Sequence, residues 1–251
     1  MIESKLTTVG TSIFTVMSAL ANEHKAINLA QGFPDFKIDQ RLKDLVVESL
    51  VNEQVQYAPM RGRQDLLEAI STKLAMQHGI YVDPVDEITI TAGATQAIYT
   101  VISTVVNAGD EVIMFDPSYD CYAPTVLVNK GVPVHLNLSH PDYRINWTEV
   151  RENITSQTRL IIVNNPHNPC CSVWDESDIK ALEDLVNDFP QVMILSDEVY
   201  EHIQFTGTHQ SVLKSPTLRA RSFVAYSFGK TLHATGWKLG YCVAPKSYSE
   251  E

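Results

Sequence analysis

The sequence predicts an α/β fold: a mostly parallel, seven-stranded sheet covered by helices. Three observations point to it. From residue 87 onward, short β-branched runs alternate with helical patterns, which is how parallel strands joined by crossover helices read. The 251 residues, 44% of them hydrophobic, fit one large α/β domain or one and a half ordinary domains, with a sizeable core. No internal repeat, low-complexity segment or linker interrupts the alternating block.

Taken in order, the first forty residues read as an arm. A short helical candidate, Ile13–Glu23, leads into Asn28-Leu29-Ala30-Gln31-Gly32-Phe33-Pro34-Asp35-Phe36, where Gly and Pro among aromatics mark a loop. Two readings of that loop stand: Phe33 and Phe36 pack onto the domain, or Gly32 lets backbone approach a ligand. Arg41–Glu53 reads as an amphipathic helix with Leu42, Leu45, Val46 and Ser49 on one face. Tyr57 lies in the turn Gln56-Tyr57-Ala58-Pro59, and Gly62 opens a second helix that ends near Gly79, placed as a C′ glycine.

The strand candidates are Ile88–Thr91, Val112–Phe115, Val134–Leu138, Leu160–Val163, Val192–Leu195, Ser222–Tyr226 and Leu239–Val243. Helical patterns fall at Thr95–Val106, Tyr119–Asn129, Trp147–Asn153 and Asp175–Asn187. The last two strands flank a glycine-containing segment around Lys230 with no clear helix. A parallel crossover there is tight, so the final strand is expected to run antiparallel.

The net charge of −11, with no Lys/Arg-rich block, argues against a nucleic-acid or anionic-membrane surface. The opening stretch Met1–Gly10 lacks the pattern of a secretory signal, and no apolar run approaches bilayer-spanning length. The four cysteines lack metal-ligand spacing, and adjacent Cys170-Cys171 suits a disulfide poorly. A reduced cytoplasmic compartment and no metal site are the expectations.

Ligands in open α/β sheets sit outside the carboxyl ends of the strands, and the polar residues gather there. After the first strand, Gly93-Ala94-Thr95-Gln96 runs into a helix whose free amides suit a phosphate, though an ordinary cap reads the same way. Asp116-Pro117-Ser118-Tyr119 either aims an aromatic face into the cleft or packs it in a proline turn. Asn164-Asn165-Pro166-His167-Asn168-Pro169 is a rigid loop able to hold an amide against a ligand oxygen. His167 has no partner at metal spacing. Asp197, at a buried strand end, asks for a cation such as a protonated heterocyclic nitrogen, and Tyr200 follows three residues on. Ser227-Phe228-Gly229-Lys230 then places a lysine where a strand ends. Its amine can form a Schiff base with a carbonyl-bearing cofactor if its pKa is lowered.

With these residues assembled, the chain resembles the fold-type-I pyridoxal-phosphate aminotransferases of class I/II, and among them the methionine and kynurenine (glutamine-transaminase-K-like) enzymes. Gln31 to Phe36, Tyr57-Ala58-Pro59, Gly93 to Gln96, Asp116 to Tyr119, Asn165 to Pro169, Asp197-Glu198-Val199-Tyr200, and Ser227 to Lys230 through Thr235-Gly236-Trp237-Lys238-Leu239-Gly240 carry the resemblance, in order. It implies a three-layer α/β/α large domain over residues 41–251, an N-terminal arm and substrate loop over 1–40, and pyridoxal 5'-phosphate as cofactor. Lys230 matches the lysine that bonds the cofactor and shuttles the substrate proton. Asp197 matches the partner of the ring nitrogen, Asn168 and Tyr200 the donors to the phenolic oxygen, and Tyr119 the aromatic stacked on the ring. Ala94, Thr95 and Ser227 match the phosphate cradle, with Lys238 where many relatives carry arginine. Tyr57 matches a residue that reaches the phosphate of a partner subunit, implying a homodimer with shared sites. Gly32, with Asn168, matches a contact to the substrate.

The function so implied is transfer of the amino group of methionine or an aromatic or other large neutral amino acid to a 2-oxo acid. A C–S β-lyase of the cysteine-conjugate or cystathionine type uses the same lysine and ring, and a non-catalytic cofactor-binding remnant is a third reading. The resemblance also implies a C-terminal small domain bearing the arginine that clamps the substrate carboxylate, which this sequence does not contain. It therefore reads as a truncated member, expected to bind cofactor weakly and to transaminate inefficiently by itself.

Overall fold

The computed structural model of the chain describes residues 3–7, 9–32 and 34–251, so the packing expected of Phe33 lies outside the described residues. The helices are α1 (Ile13–Glu23), α2 (Gln40–Val51), α3 (Gln64–His78), α4 (Ala94–Val105), α5 (Tyr122–Val128), α6 (Trp147–Asn153), α7 (Glu176–Asp188), α8 (Pro216–Arg219), α9 (Phe228–Thr231) and α10 (Lys246–Ser249). Seven strands form one sheet: β1 (Ile88–Thr91), β2 (Glu111–Asp116), β3 (Val132–Asn137), β4 (Thr158–Asn164), β5 (Met193–Asp197), β6 (Ser222–Ser227) and β7 (Gly240–Val243). Their order is β1-β7-β6-β5-β4-β2-β3. β3, β2, β4, β5 and β6 pair in parallel, whereas β7 runs antiparallel to both β1 and β6. The predicted sheet and its single reversed strand are therefore present.

Strand alternation divides the core into two apolar layers. Ile113, Phe115, Ile161, Val163, Ile194 and Val224 face α3, α6, α7 and α8. Val112, Met114, Leu160, Ile162, Leu195 and Phe223 face α4 and α5. Each such side chain, taken from water to a covered layer, contributes roughly 1.5–3 kcal/mol. α7 begins on a capping box at Asp175, whose carboxylate accepts from the Ser177 amide at 2.8 Å. Gly79 ends α3 at φ 70°, the left-handed conformation expected of it.

Three local expectations change. The segment around Lys230, expected to lack a helix, forms the single turn α9 followed by a 3-10 turn at Thr235–Trp237. α5 starts at Tyr122 rather than Tyr119, because the Asp116-Pro117 turn carries Ser118 to Cys121 outside the helix. Ahead of Leu67 no described residue is buried. The apolar face predicted on α2 meets no core, and Leu45, Val46, Val47 and Leu50 are exposed.

Candidate active site

The carboxyl ends of β4, β5 and β6 meet the start of α4 at one edge of the sheet, and there they enclose a cavity of about 160 Å3. Ala94, Thr95, Tyr119, Asn168, Asp197, Tyr200, Ser227, Lys230 and Lys238 all line it. Residues separated by more than a hundred positions are brought together because parallel strands deliver every crossover loop to the same edge. Gly32 and Tyr57 do not line this cleft. Tyr57 is fully exposed. The arm instead touches the Lys230 turn further on: His233 Nε2 donates to the Phe36 carbonyl at 2.7 Å, and the two rings lie 4.3 Å apart.

One end of the cavity presents hydrogen-bond donors and a cationic side chain. Gly93, at φ 79°, turns β1 into α4, and among the described residues no side chain caps that helix. Its first amides and the positive end of its dipole therefore remain available. β7 enters beside this turn so closely that a Cβ on Gly240 would lie 2.8 Å from the Ala94 nitrogen and 2.5 Å from the Tyr226 oxygen. Lys238, held at φ 53°, brings its ammonium next to Gly93, 3.8 Å from where a Cβ on that glycine would lie.

At the other end lies Asp197, the last residue of β5 and buried. Its carboxylate accepts from the Tyr122 hydroxyl at 2.6 Å and from the Val199 amide at 3.4 Å. No ion pair to it forms among the described residues. Burial pushes its pKa up to about 6, against the hydrogen bonds from Tyr122 and Val199. Its neighbour Glu198 points to the opposite face of the sheet and fares differently. Burial opposes its charge, but His209 Nε2 at 2.8 Å and the Val212 amide at 3.1 Å outweigh that and hold it below the ordinary carboxylate range. Strand alternation thus gives adjacent carboxylates opposite environments.

Between the two ends, Lys230 projects from α9 into the cleft, its ammonium 5.4 Å from the centre of the Tyr200 ring. Crowding by the surrounding protein lowers its pKa. Asp197 opposes that and Lys238 adds to it. Burial and nearby Asp197 push the Tyr200 hydroxyl up to about 12. The Tyr119 ring meets Tyr122 edge-on at 5.8 Å.

Two residues of the site were not singled out from the sequence. Tyr122 read as part of a helical pattern, and no local signal marks its bond to Asp197, which joins residues far apart in sequence. Asn164 is the last residue of β4 and lines the cavity, so the strand-end rule could have found it. Among the described residues, no group of three or more His, Cys, Asp or Glu is placed to hold a metal ion, and no helix is long and apolar enough to cross a membrane.

Comparison with known proteins agrees with this geometry. The sequence profile "Aminotransferase class I and II" matches residues 24–250. The chain is 48% identical over 250 residues to a methionine aminotransferase of Escherichia coli, covering 99% of this chain and 64% of that one. It is 32% identical to a kynurenine–oxoglutarate transaminase of Dictyostelium discoideum, covering 95% of this chain and 59% of the relative. A crystal structure from Escherichia coli, whose description identifies a methionine aminotransferase function, superposes with a TM-score of 0.96 at 47% identity, over 100% of this chain and 65% of that one. The chain thus spans less than two thirds of the length of these relatives.

Proposed function

Because the chain belongs to the class I and II aminotransferases, we propose that it contributes to transfer of an amino group from methionine, or from an aromatic or other large neutral amino acid, to a 2-oxo acid. The observation that carries this reading is one cleft holding a lysine with a lowered pKa, a buried carboxylate that forms no ion pair among the described residues, and a helix start with no side-chain cap among them beside a second lysine.

The same residues fit pyridoxal phosphate, the cofactor of this family. Asp197 would hold a protonated ring nitrogen, the partner its burial calls for. The first amides of α4 at Ala94 and Thr95, with Ser227 and Lys238, would hold the phosphate. Tyr119 would stack on the ring, and Asn168 and Tyr200 would donate to its phenolic oxygen. When bound, the cofactor supplies a reactive aldehyde and a ring that withdraws electrons from the amino acid Cα. Lys230 would remove and return the Cα proton, a task helped by the burial that lowers its pKa from the ordinary lysine value. Lys238 provides the charge of an arginine without its planar fork, so its grip on a phosphate is that of a point charge.

In this reading residues 1–40 act as the arm and substrate loop and residues 41–251 as the cofactor-binding domain, with Gly32 and Asn168 facing substrate. Tyr57, exposed and away from its own cleft, would serve the cleft of a second copy in a homodimer. All four cysteines are free, which supports a reducing, cytoplasmic setting.

The deciding experiment is an absorbance titration of the purified chain with pyridoxal phosphate. A visible band that Lys230→Ala abolishes is expected, and addition of methionine should then discharge it. Absence of a lysine-dependent band would overturn the assignment.

A further inference from the structure

We infer that Asn164 is a positioning residue that holds Asn168 and Asp197 in a fixed relation across β4 and β5; its role for the cofactor rests on the function proposed above. Asn164 ends β4, is buried, and pairs in register with Asp197. Both halves of its amide are engaged. Nδ2 donates to the Asp197 carbonyl at 2.8 Å, and Oδ1 accepts from the Asn168 amide at 2.7 Å. The orientation of the side chain follows from its partners, since a carbonyl can only accept and a backbone N–H can only donate. One planar group thus joins two residues that line the cleft from the loop after β4 and from the end of β5.

The neighbouring Asn165 does a separate job. Its amide donates to the Gln210 carbonyl at 2.9 Å and accepts from the Trp174 amide at 3.0 Å. It ties the far side of the loop to the body of the domain. Asn165 does not line the cavity, whereas Asn164 does. The Asn165 backbone N–H also donates to the Asp197 carbonyl at 3.1 Å, so both asparagines tie β4 to β5, but of the two only Asn164 also holds the Asn168 amide.

Only an amide at position 164 supplies a donor and an acceptor at this spacing. Aspartate offers two acceptors and sets a negative charge against the Asp197 carbonyl. Alanine leaves the half-buried Asn168 N–H without its partner and the Asp197 carbonyl with the Asn165 N–H at 3.1 Å in place of two donors. In either case Asn168 is freed to move relative to Asp197. A ligand that must meet both residues then loses part of its prepared geometry.

The test has two arms. In the chain without added cofactor, hydrogen–deuterium exchange at the Asn168 amide is expected to quicken roughly tenfold or more in Asn164→Ala, as loss of its hydrogen bond implies. Exchange in the centres of β4 and β5 should stay unchanged. With pyridoxal phosphate, Asn164→Ala is expected to weaken binding roughly tenfold. Asn164→Asp should shift the pH midpoint of the lysine-dependent absorbance band, which a loss of general stability would not do. Unchanged exchange at Asn168, or unchanged affinity together with an unchanged midpoint, overturns the inference. If the unsubstituted chain shows no lysine-dependent band, the proposed function fails and the exchange arm decides the positioning role by itself. Should Asn164→Ala not fold, Asn164→Ser removes the same two-sided reach and takes its place in both arms.

Discussion

Asp197 carries a charge-bearing group into a place where charge is expensive. Its carboxyl titrates near pH 6 in the folded chain, against an ordinary value of 3.8. The folded state therefore holds the proton more firmly than the unfolded one. Stability from this group is fully present below about pH 4 and is lost as pH rises from there through about 6, a penalty of about 3 kcal/mol. Asp197→Asn is expected to raise the melting temperature of the cofactor-free chain at pH 8, with the advantage shrinking toward pH 4; thermal melts across that range check it. A flat difference would mean that the carboxylate is better solvated than its burial indicates. Tyr122 works in the opposite direction to burial. Its hydroxyl bond favours the charged carboxylate, so Tyr122→Phe should push the Asp197 titration higher still, as seen by carboxyl-selective NMR. The placement of Asp197 at a strand end and of Lys230 just beyond one is legible in the sequence, since alternation and strand length locate the ends. The bond from Tyr122 is not, because it depends on how α5 tilts against β5.

At the scale of elements, the approach of β7 to the start of α4 decides whether the anion end of the cleft forms. Gly240 is the residue that permits it, for a Cβ there would strike backbone atoms on two different elements. Gly240→Ala is expected to destabilise the fold by roughly 1–3 kcal/mol and to weaken binding of pyridoxal phosphate and of free phosphate alike. Gly236, whose added Cβ would meet nothing within 4 Å, is the control, and Gly236→Ala should be near neutral in denaturant melts. Equal effects at both positions would count against the close approach as the cause. The turn α9 was not expected from the sequence. Phe228 to Thr231 contain no helical periodicity of their own, and the turn closes where Gly229 packs against Thr235, with 2.9 Å from a Cβ on Gly229 to the Thr235 Cα. That contact is tertiary, and no local pattern announces it.

On the scale of the molecule, a well-covered sheet coexists with a thinly covered amino-terminal stretch. Ile13, Val16 and Leu20 of α1 and Leu45, Val46, Val47 and Leu50 of α2 are exposed, along with Tyr57 and Met60. An apolar surface of this kind calls for a cover, and a second copy of the chain is the cover that the proposed homodimer provides. Sedimentation is expected to show a dimer that the pair Leu45→Gln and Val46→Gln shifts toward monomer. A monomer at micromolar concentration in the unsubstituted chain would count against it.

The sequence by itself determined the sheet, its seven strands, the reversed last strand and the strand-end placement of the cleft residues. These are properties of period, run length and connection length, all of which are local and additive along the chain. It also carried the motifs by which Lys230, Asp197 and Asn168 were singled out. Only the tertiary structure decided that Asn164 bonds the Asp197 carbonyl and the Asn168 amide, that Tyr122 bonds the Asp197 carboxylate, that Glu198 belongs to a different network from Asp197, and that α2 buries none of its residues among the described ones. Each of these depends on which atoms lie within about 3 Å across elements distant in sequence, a relation that periodicity does not encode.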